Sequence, residues 1–129
     1  MAYVLILVTL GGLLVTWLGF AGLTGQLRRN FWAGIRTEFS LRNDDNWTAV
    51  HRAAGPIIMF GGVLVAALGL AFVPFALAGK LGLMLQVVVA GAGVGLLLGT
   101  VFAGWFAATS FAAARDTATL KPRNDERRG

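Results

Sequence analysis

Long apolar segments without charge alternate with short polar segments along the chain. Three of them, at about residues 2–23, 53–75 and 81–108, contain no Asp, Glu, Lys, Arg or His. A transmembrane helix needs about 20 mostly apolar residues, so each segment is long enough to cross a bilayer. The pattern predicts an all-α, polytopic membrane protein with three transmembrane helices.

The polar segments predict how these spans are connected. We expect a three-span membrane domain over residues 1–114, in which residues 24–52 form a structured inner loop. Residues 115–129 are basic and contain a proline, which predicts a mobile basic tail. Between the second and third spans, Pro74 and Gly79 predict a short hairpin.

The basic residues are concentrated beside the spans. The chain carries 11 Lys and Arg against 6 Asp and Glu, a net charge of +5. All basic residues except Lys80 lie in the inner loop or after the third span. Because positive charge is enriched on the cytoplasmic side of membrane proteins, this distribution predicts an N-terminus outside and a C-terminus in the cytoplasm.

Several function classes can be set aside at this stage. Bases placed beside spans explain the charge, so we expect no nucleic-acid partner. The chain has no cysteine and a single histidine, which argues against a metal site. No span carries an ionisable residue, which argues against ion-coupled pumping. We predict no enzyme activity and no cofactor. The expected partners are membrane lipids and either another membrane protein or a second copy of the chain.

The third span contains a row of small residues at four-residue spacing, Gly91, Gly95, Gly99 and Ala103. Small residues at this spacing let helix backbones approach closely within a bilayer. We favour packing of this row inside the three-helix bundle, with self-association or docking onto a partner helix as the alternative. Facing surfaces can come from Gly11, Gly12, Gly19, Gly22, Gly61, Gly62 and Gly69 of the other spans.

The inner loop contains a predicted helix start. Asn43 is a favourable capping residue, and Asp44 and Asp45 would occupy the first turn, where the helix dipole favours negative charge. Asp44, Trp47 and His51 would then share one helix face. We interpret Trp47 as an anchor at the membrane interface and His51 as the donor or acceptor of a structural hydrogen bond.

The inner loop also carries a resemblance to a known family. The segment NFWAGIRT at residues 30–37, with Trp47 ten residues after Thr37 and His51 four residues later, resembles the C-terminal membrane region of the SdpI family. These are bacterial immunity and signalling proteins, so the resemblance implies a protein of the bacterial inner membrane. It marks Asn30, Gly34, Arg36, Thr37, Trp47 and His51 as candidate binding residues.

Arg36 leaves two function classes open. It either pairs with Asp44, Asp45 or Glu38 and holds the loop, or it binds an oxyanion such as a lipid headgroup. The first class is an interaction protein, either an immunity or signalling factor or an accessory subunit of a larger envelope complex. The second is a lipid-headgroup-binding or small transport protein that uses an inner pocket within residues 30–51. Gly34 is expected to form a tight turn in either case.

Overall fold

The computed structural model describes residues 2–30 and 33–120, without the side chains of residues 119 and 120. Within this part of the chain there are four helices and no strand: α1 (Ala2–Leu23), α2 (Glu38–Leu41), α3 (Asp44–Leu77) and α4 (Leu83–Leu120). Helices α1, α3 and α4 are long and apolar enough to cross a membrane. The prediction of an all-α protein with three spans is confirmed.

Two of the helices extend beyond the predicted spans. Helix α3 begins directly after Asn43, as expected, but it continues through Pro74 and turns only at Gly79, which has a φ of 68°. Helix α4 continues to Leu120, so the first six residues of the predicted tail are helical. The whole part of α4 beyond the predicted span, residues 109–120, contains four alanines, and alanine is the strongest helix former. Residues 121–129 lie outside the described residues.

Helices α1 and α3 pack through a row of glycines that we term the inner seam. The inner seam consists of Gly12 and Gly19 on α1 and of Gly55, Gly62 and Gly69 on α3. A Cβ placed on Gly12 would lie 2.6 Å from the backbone nitrogen of Ala66, and one on Gly55 would lie 2.8 Å from that of Leu23. The two backbones therefore touch, and the seven-residue spacing on α3 keeps its glycines facing α1. The sequence had marked Gly12, Gly19, Gly62 and Gly69 as surfaces for the small residues of the third span, but in the structure they form the contact between α1 and α3.

Two threonines accompany the inner seam without exposing polar groups to hydrocarbon. The Thr9 hydroxyl donates to the carbonyl of Leu5 at 2.7 Å, and the Thr16 hydroxyl donates to that of Gly12 at 2.8 Å. Because no water is present in a bilayer core, polar groups there need an internal partner. These hydroxyls find it within their own helix, as threonines in helices commonly do.

The row at Gly91, Gly95, Gly99 and Ala103 does not pack inside the bundle, so our favoured interpretation of it was wrong. A Cβ built on any of its three glycines meets no atom of the described residues within 4 Å, and all four residues are exposed. We term this surface of α4 the outer row. Besides lipid, the outer row can contact only what the alternative interpretation named, a partner helix or a second copy of the chain.

Helix α4 faces the bundle through a different set of small residues. A Cβ on Gly93 would lie 2.5 Å from Cγ1 of Val8, and one on Gly104 would lie 2.6 Å from Cγ1 of Ile58. Residues two positions apart on an α-helix are separated by about 200° around its axis. Because Gly93 faces inward, the outer row must lie on the opposite side of α4.

The loop and two helix ends form one end of the bundle. Residue Arg42, which follows α2, forms an ion pair with Asp116 near the end of α4, with Nη1 and Oδ1 3.1 Å apart. At 1.5 Å per residue, the 38 residues of α4 extend about 57 Å, well beyond an apolar bilayer core of about 30 Å. The end of α4 therefore projects from the membrane beside the loop, whereas Lys80 lies at the opposite end of the bundle.

Candidate functional site

The inner loop leaves α1 through a tight turn at Gly25. Gly25 has a φ of 75°, and the amides of Gln26 and Leu27 donate to the carbonyl of Ala21 at 2.9 and 3.1 Å. These bonds satisfy the end of the helix and redirect the chain. The loop then passes the first turns of α3, where the indole of Trp47 donates to the carbonyl of Leu27 at 2.9 Å.

Trp47 is buried under the loop and is not exposed to the surroundings of the protein. Only 1% of its surface is exposed, and its ring centroid lies 4.3 Å from that of His51. The interpretation of Trp47 as an interface anchor was therefore wrong. Its indole N–H donates to a backbone carbonyl, and a buried tryptophan requires such an acceptor. The indole ring packs beneath the loop.

Both ring nitrogens of His51 are engaged in hydrogen bonds that hold the loop. Nδ1 lies 2.7 Å from the carbonyl oxygen of Trp47, and Nε2 accepts the amide hydrogen of Ile35 at 2.8 Å. Because Nε2 is an acceptor, the imidazole is neutral and carries its hydrogen on Nδ1. The predicted structural hydrogen bond is confirmed. No cluster of three or more potential metal ligands occurs within residues 2–30 and 33–120.

Gly34 is the position at which the loop crosses these two rings. Its φ is 108°, a conformation that side chains other than hydrogen disfavour. A Cβ here would lie 2.7 Å from Nε2 of His51 and 2.9 Å from Cζ2 of Trp47. The predicted turn at Gly34 is confirmed, and the close approach to the rings adds a second reason for glycine.

Asn30 folds the segment before Gly34. Its side-chain oxygen accepts the amide hydrogen of Ala33 at 2.7 Å, and its side-chain nitrogen donates to the carbonyl of Arg28 at 2.9 Å. An asparagine side chain bonded in this way acts as a piece of backbone turn. Asn30 thus contributes to the shape of the loop.

Thr37 caps the short helix α2 together with a residue that the sequence analysis missed. The Thr37 hydroxyl accepts the amide hydrogen of Ser40 at 3.2 Å, and Oγ of Ser40 accepts that of Thr37 at 2.8 Å. The Ser40 hydroxyl also donates to the carbonyl of Ile35 at 2.9 Å and is fully buried. The T-x-x-S spacing is a capping box with serine in place of the usual Glu or Gln, and this spacing was the available signal.

Arg36 differs from the other candidate residues because its side chain is exposed. Its Nη1 donates to the carbonyl of Asn30 at 2.8 Å. No carboxylate among the described residues lies within 4 Å of its guanidinium nitrogens. The predicted pairing of Arg36 with Asp44, Asp45 or Glu38 is therefore wrong, and the guanidinium bonds to a backbone carbonyl instead.

Other arginines occupy two of those carboxylates. Arg29 pairs with Asp44 at 3.3 Å, and Arg42 pairs with Glu38 at 3.6 Å as well as with Asp116. Most of these side chains are well exposed, so each pair contributes at most about 1 kcal/mol. They position the loop against α3 and α4 but do not form its core.

A cavity of about 260 Å³ lies beneath the loop, between the three long helices. Its walls include Val15 of α1, Ile58 of α3 and Trp105 of α4, and residues 34–36 lie along its loop side. Most of this lining is apolar, and Arg36 is its only charged side chain. The site thus combines an apolar space with one cationic group that lacks a carboxylate partner.

The bundle and the loop define the chain as a small, multi-pass helical membrane protein with a structured connection over one end. The SdpI/YfhL protein family matches residues 26–112, which include most of the inner loop, all of α3 and most of α4. The chain belongs to this family, as the resemblance implied. Comparison with curated proteins and with solved structures gives no match.

Proposed function

We propose that this protein acts by interaction and not by catalysis, as an immunity or signalling factor or as an accessory subunit of an envelope complex. The observation that supports this role is a well-defined loop end with an excess of unpaired positive charge. Arg28, Arg52 and Arg115 are exposed there, and no carboxylate of the described residues pairs with them. We term these three residues the basic surface.

The basic surface favours a partner with an acidic segment. Arg52 and Arg115 line the same surface depression of about 530 Å³, and Arg115 stacks 5.1 Å above the ring of Phe111. Complementary charge accelerates association and rejects partners of the wrong sign. Because buried hydrogen bonds hold the neighbouring loop, little conformational entropy would be lost on binding.

In this proposal the basic surface faces the cytoplasm and the N-terminus lies outside. The support is the placement of charge: the arginines of the described residues all lie at the loop end, and Lys80 alone lies at the hairpin end. Since the chain lacks cysteine, single cysteines report orientation directly. A cysteine at Gly79 should react with an impermeant thiol reagent on intact cells, and one at Asn43 should not. The reverse pattern would place the loop outside.

The interaction is tested by purification in mild detergent with mass spectrometry of the proteins that co-purify in fixed ratio. The variant carries Arg28→Gln, Arg52→Gln and Arg115→Gln together, and Lys80→Gln is the control at the other end. If each exposed charge contributes about 0.5 kcal/mol, the triple variant should lose affinity by roughly tenfold. A partner retained in full by the triple variant would show that binding occurs elsewhere.

A further inference from the structure

Two cavities lie side by side between α1 and α4. The cavity beneath the loop shares Val15, Val101 and Trp105 with a second cavity of about 450 Å³ that reaches Gly11 and Leu97. We term the combined space the α1–α4 groove. Helices α1 and α4 share the least contact of the three long helices, which leaves this space open on the flank of the bundle.

The groove has the length and the lining of a site for an alkyl chain. From Leu97 to Trp105 it follows eight residue steps of α4, or about 12 Å. The cavity nearer Gly11 is almost entirely apolar, and Val101, Phe102 and Trp105 on its α4 wall are about half exposed. Because the groove opens sideways, a chain could enter it from the bilayer without crossing a polar layer.

Arg36 lies at the loop end of the groove, where it is the one charged residue of the lining. A guanidinium has five N–H donors, and the Arg36 group uses one of its nitrogens toward Asn30. His51 also lines this part, but both of its nitrogens are engaged, so it offers only ring carbon. The planar donor fork of arginine matches a phosphate group.

We propose that the α1–α4 groove binds one anionic phospholipid, with its phosphate on Arg36 and one acyl chain along Val15, Val101 and Trp105. A free anion would leave the apolar length of the groove unused, and an uncharged amphiphile would leave Arg36 unmatched. The site is separate from the basic surface of the proposed interaction, which uses other arginines.

The outer row of α4 provides a comparison between the proposed lipid site and an ordinary lipid-facing surface. That surface is also smooth and apolar, but no charged side chain lies along it. Lipids there would exchange without preference for a headgroup. The groove predicts one lipid with a preference for negative charge, because the charged and apolar contacts lie along one path.

The test is native mass spectrometry of protein stripped of lipid in a non-ionic detergent. Phosphatidylglycerol and diacylglycerol with the same acyl chains are added in turn, and the bound lipids are counted. Because diacylglycerol has no phosphate, we expect one phosphatidylglycerol to bind about tenfold more tightly, the effect of one charged hydrogen-bonding contact of about 1.5 kcal/mol.

Two variants separate the headgroup from the chain. Arg36→Gln should lower phosphatidylglycerol affinity by about tenfold and leave diacylglycerol unchanged, because diacylglycerol has no phosphate. Val101→Phe should fill the groove and weaken both lipids. The controls are Lys80→Gln, which removes a charge at the opposite end of the bundle, and Val88→Phe, which adds the same bulk to an exposed position of α4 about 140° around the helix axis from Val101. Both controls should bind as the unmodified protein does.

Each outcome decides the proposal. If Arg36→Gln and Val101→Phe both bind phosphatidylglycerol normally, the lipid is unspecific annular lipid and the proposal fails. A second result would also contradict the proposal: only Arg36→Gln weakens binding, and inorganic phosphate displaces the lipid. The site would then bind an anion alone, and the groove would not bind an acyl chain. Thermal unfolding in detergent without lipid verifies folding. If Arg36→Gln does not fold, Arg36→Lys replaces it in the test. Lysine keeps the charge but lacks the planar donor fork of arginine, so Arg36→Lys should still weaken binding.

Discussion

The inner seam and the outer row are both regular rows of glycine in apolar helices, yet their surroundings are opposite. In the seam, an added Cβ on Gly12 or Gly55 would meet the backbone of the facing helix within 3 Å. In the row, an added Cβ on Gly91, Gly95 or Gly99 would meet no described atom within 4 Å. Small residues therefore permit close packing, but they do not determine which face of a helix is used.

The spacing of the two rows accounts for the difference. Seven residues make almost two whole turns of helix, so the glycines of the seam stay on a nearly straight line toward a left-handed neighbour. Four residues overshoot one turn by about 40°, so the outer row winds around α4. A winding row of small residues suits a helix that crosses at a right-handed angle. Neither α1 nor α3 takes that place.

The largest effect is expected for a bulky residue within the seam. Gly62→Leu should prevent folding or destabilise the protein by about 3 kcal/mol or more, because its side chain would have to displace the backbone of α1 at Thr16. Expression level and thermal unfolding in detergent measure this. A Gly62→Leu protein that unfolds at the temperature of the unmodified protein would show that the seam is not closely packed.

A smaller effect is expected where the seam meets a side chain. A Cβ on Gly69 would collide with the side chain of Thr9, which is held by its own hydrogen bond to Leu5. Gly69→Ala should cost about 1–3 kcal/mol, and adding Thr9→Ala should recover part of that loss. Thr24 makes the same type of bond outside the seam, so Thr24→Ala should recover nothing. Strict additivity of Gly69→Ala and Thr9→Ala would contradict the contact.

The smallest effect on the single chain is expected in the outer row. Gly95→Leu should change the free energy of unfolding by no more than about 0.5 kcal/mol, as is usual for surface positions. Energy transfer between labelled copies in vesicles tests association separately. If a second copy docks on the row, Gly95→Leu should reduce the transfer. A loss of stability similar to that of Gly62→Leu would abolish the distinction between the two rows.

The fold was largely predictable because charge-free length is a strong signal. Three uncharged segments and a capping residue at Asn43 gave the spans and the start of α3. The ends were less predictable: Pro74 lies within the last turn of α3, and the alanine-rich segment after Ser110 continues α4 although it is no longer purely apolar. Which face of α4 turns inward depends on its contacts with Val8 and Ile58, which sequence spacing alone does not reveal.

The site was predictable in its residues but less so in their roles. The motif spacing marked Gly34, Trp47 and His51, which meet in the structure. The pairing of Arg36 was predicted wrongly because Arg29 and Arg42 pair with Asp44 and Glu38 instead, which depends on three-dimensional position. The cavity was missed because residues as distant in sequence as Val15 and Trp105 form its walls.

The length of α4 has a mechanical consequence. This helix contains no proline, and it joins the outer row within the bilayer to Asp116 beside the loop. Over the 21 residues from Gly95 to Asp116, about 32 Å, a tilt of about 5° displaces the far end by about 3 Å. That movement is as large as the ion-pair distance to Arg42. A tilt of α4 caused by a helix that docks on the outer row would therefore be transmitted to the ion pair beside the loop. Spin labels at Leu41 and Ser110 would register such a tilt as a change of distance, and an unchanged distance on docking would exclude this transmission.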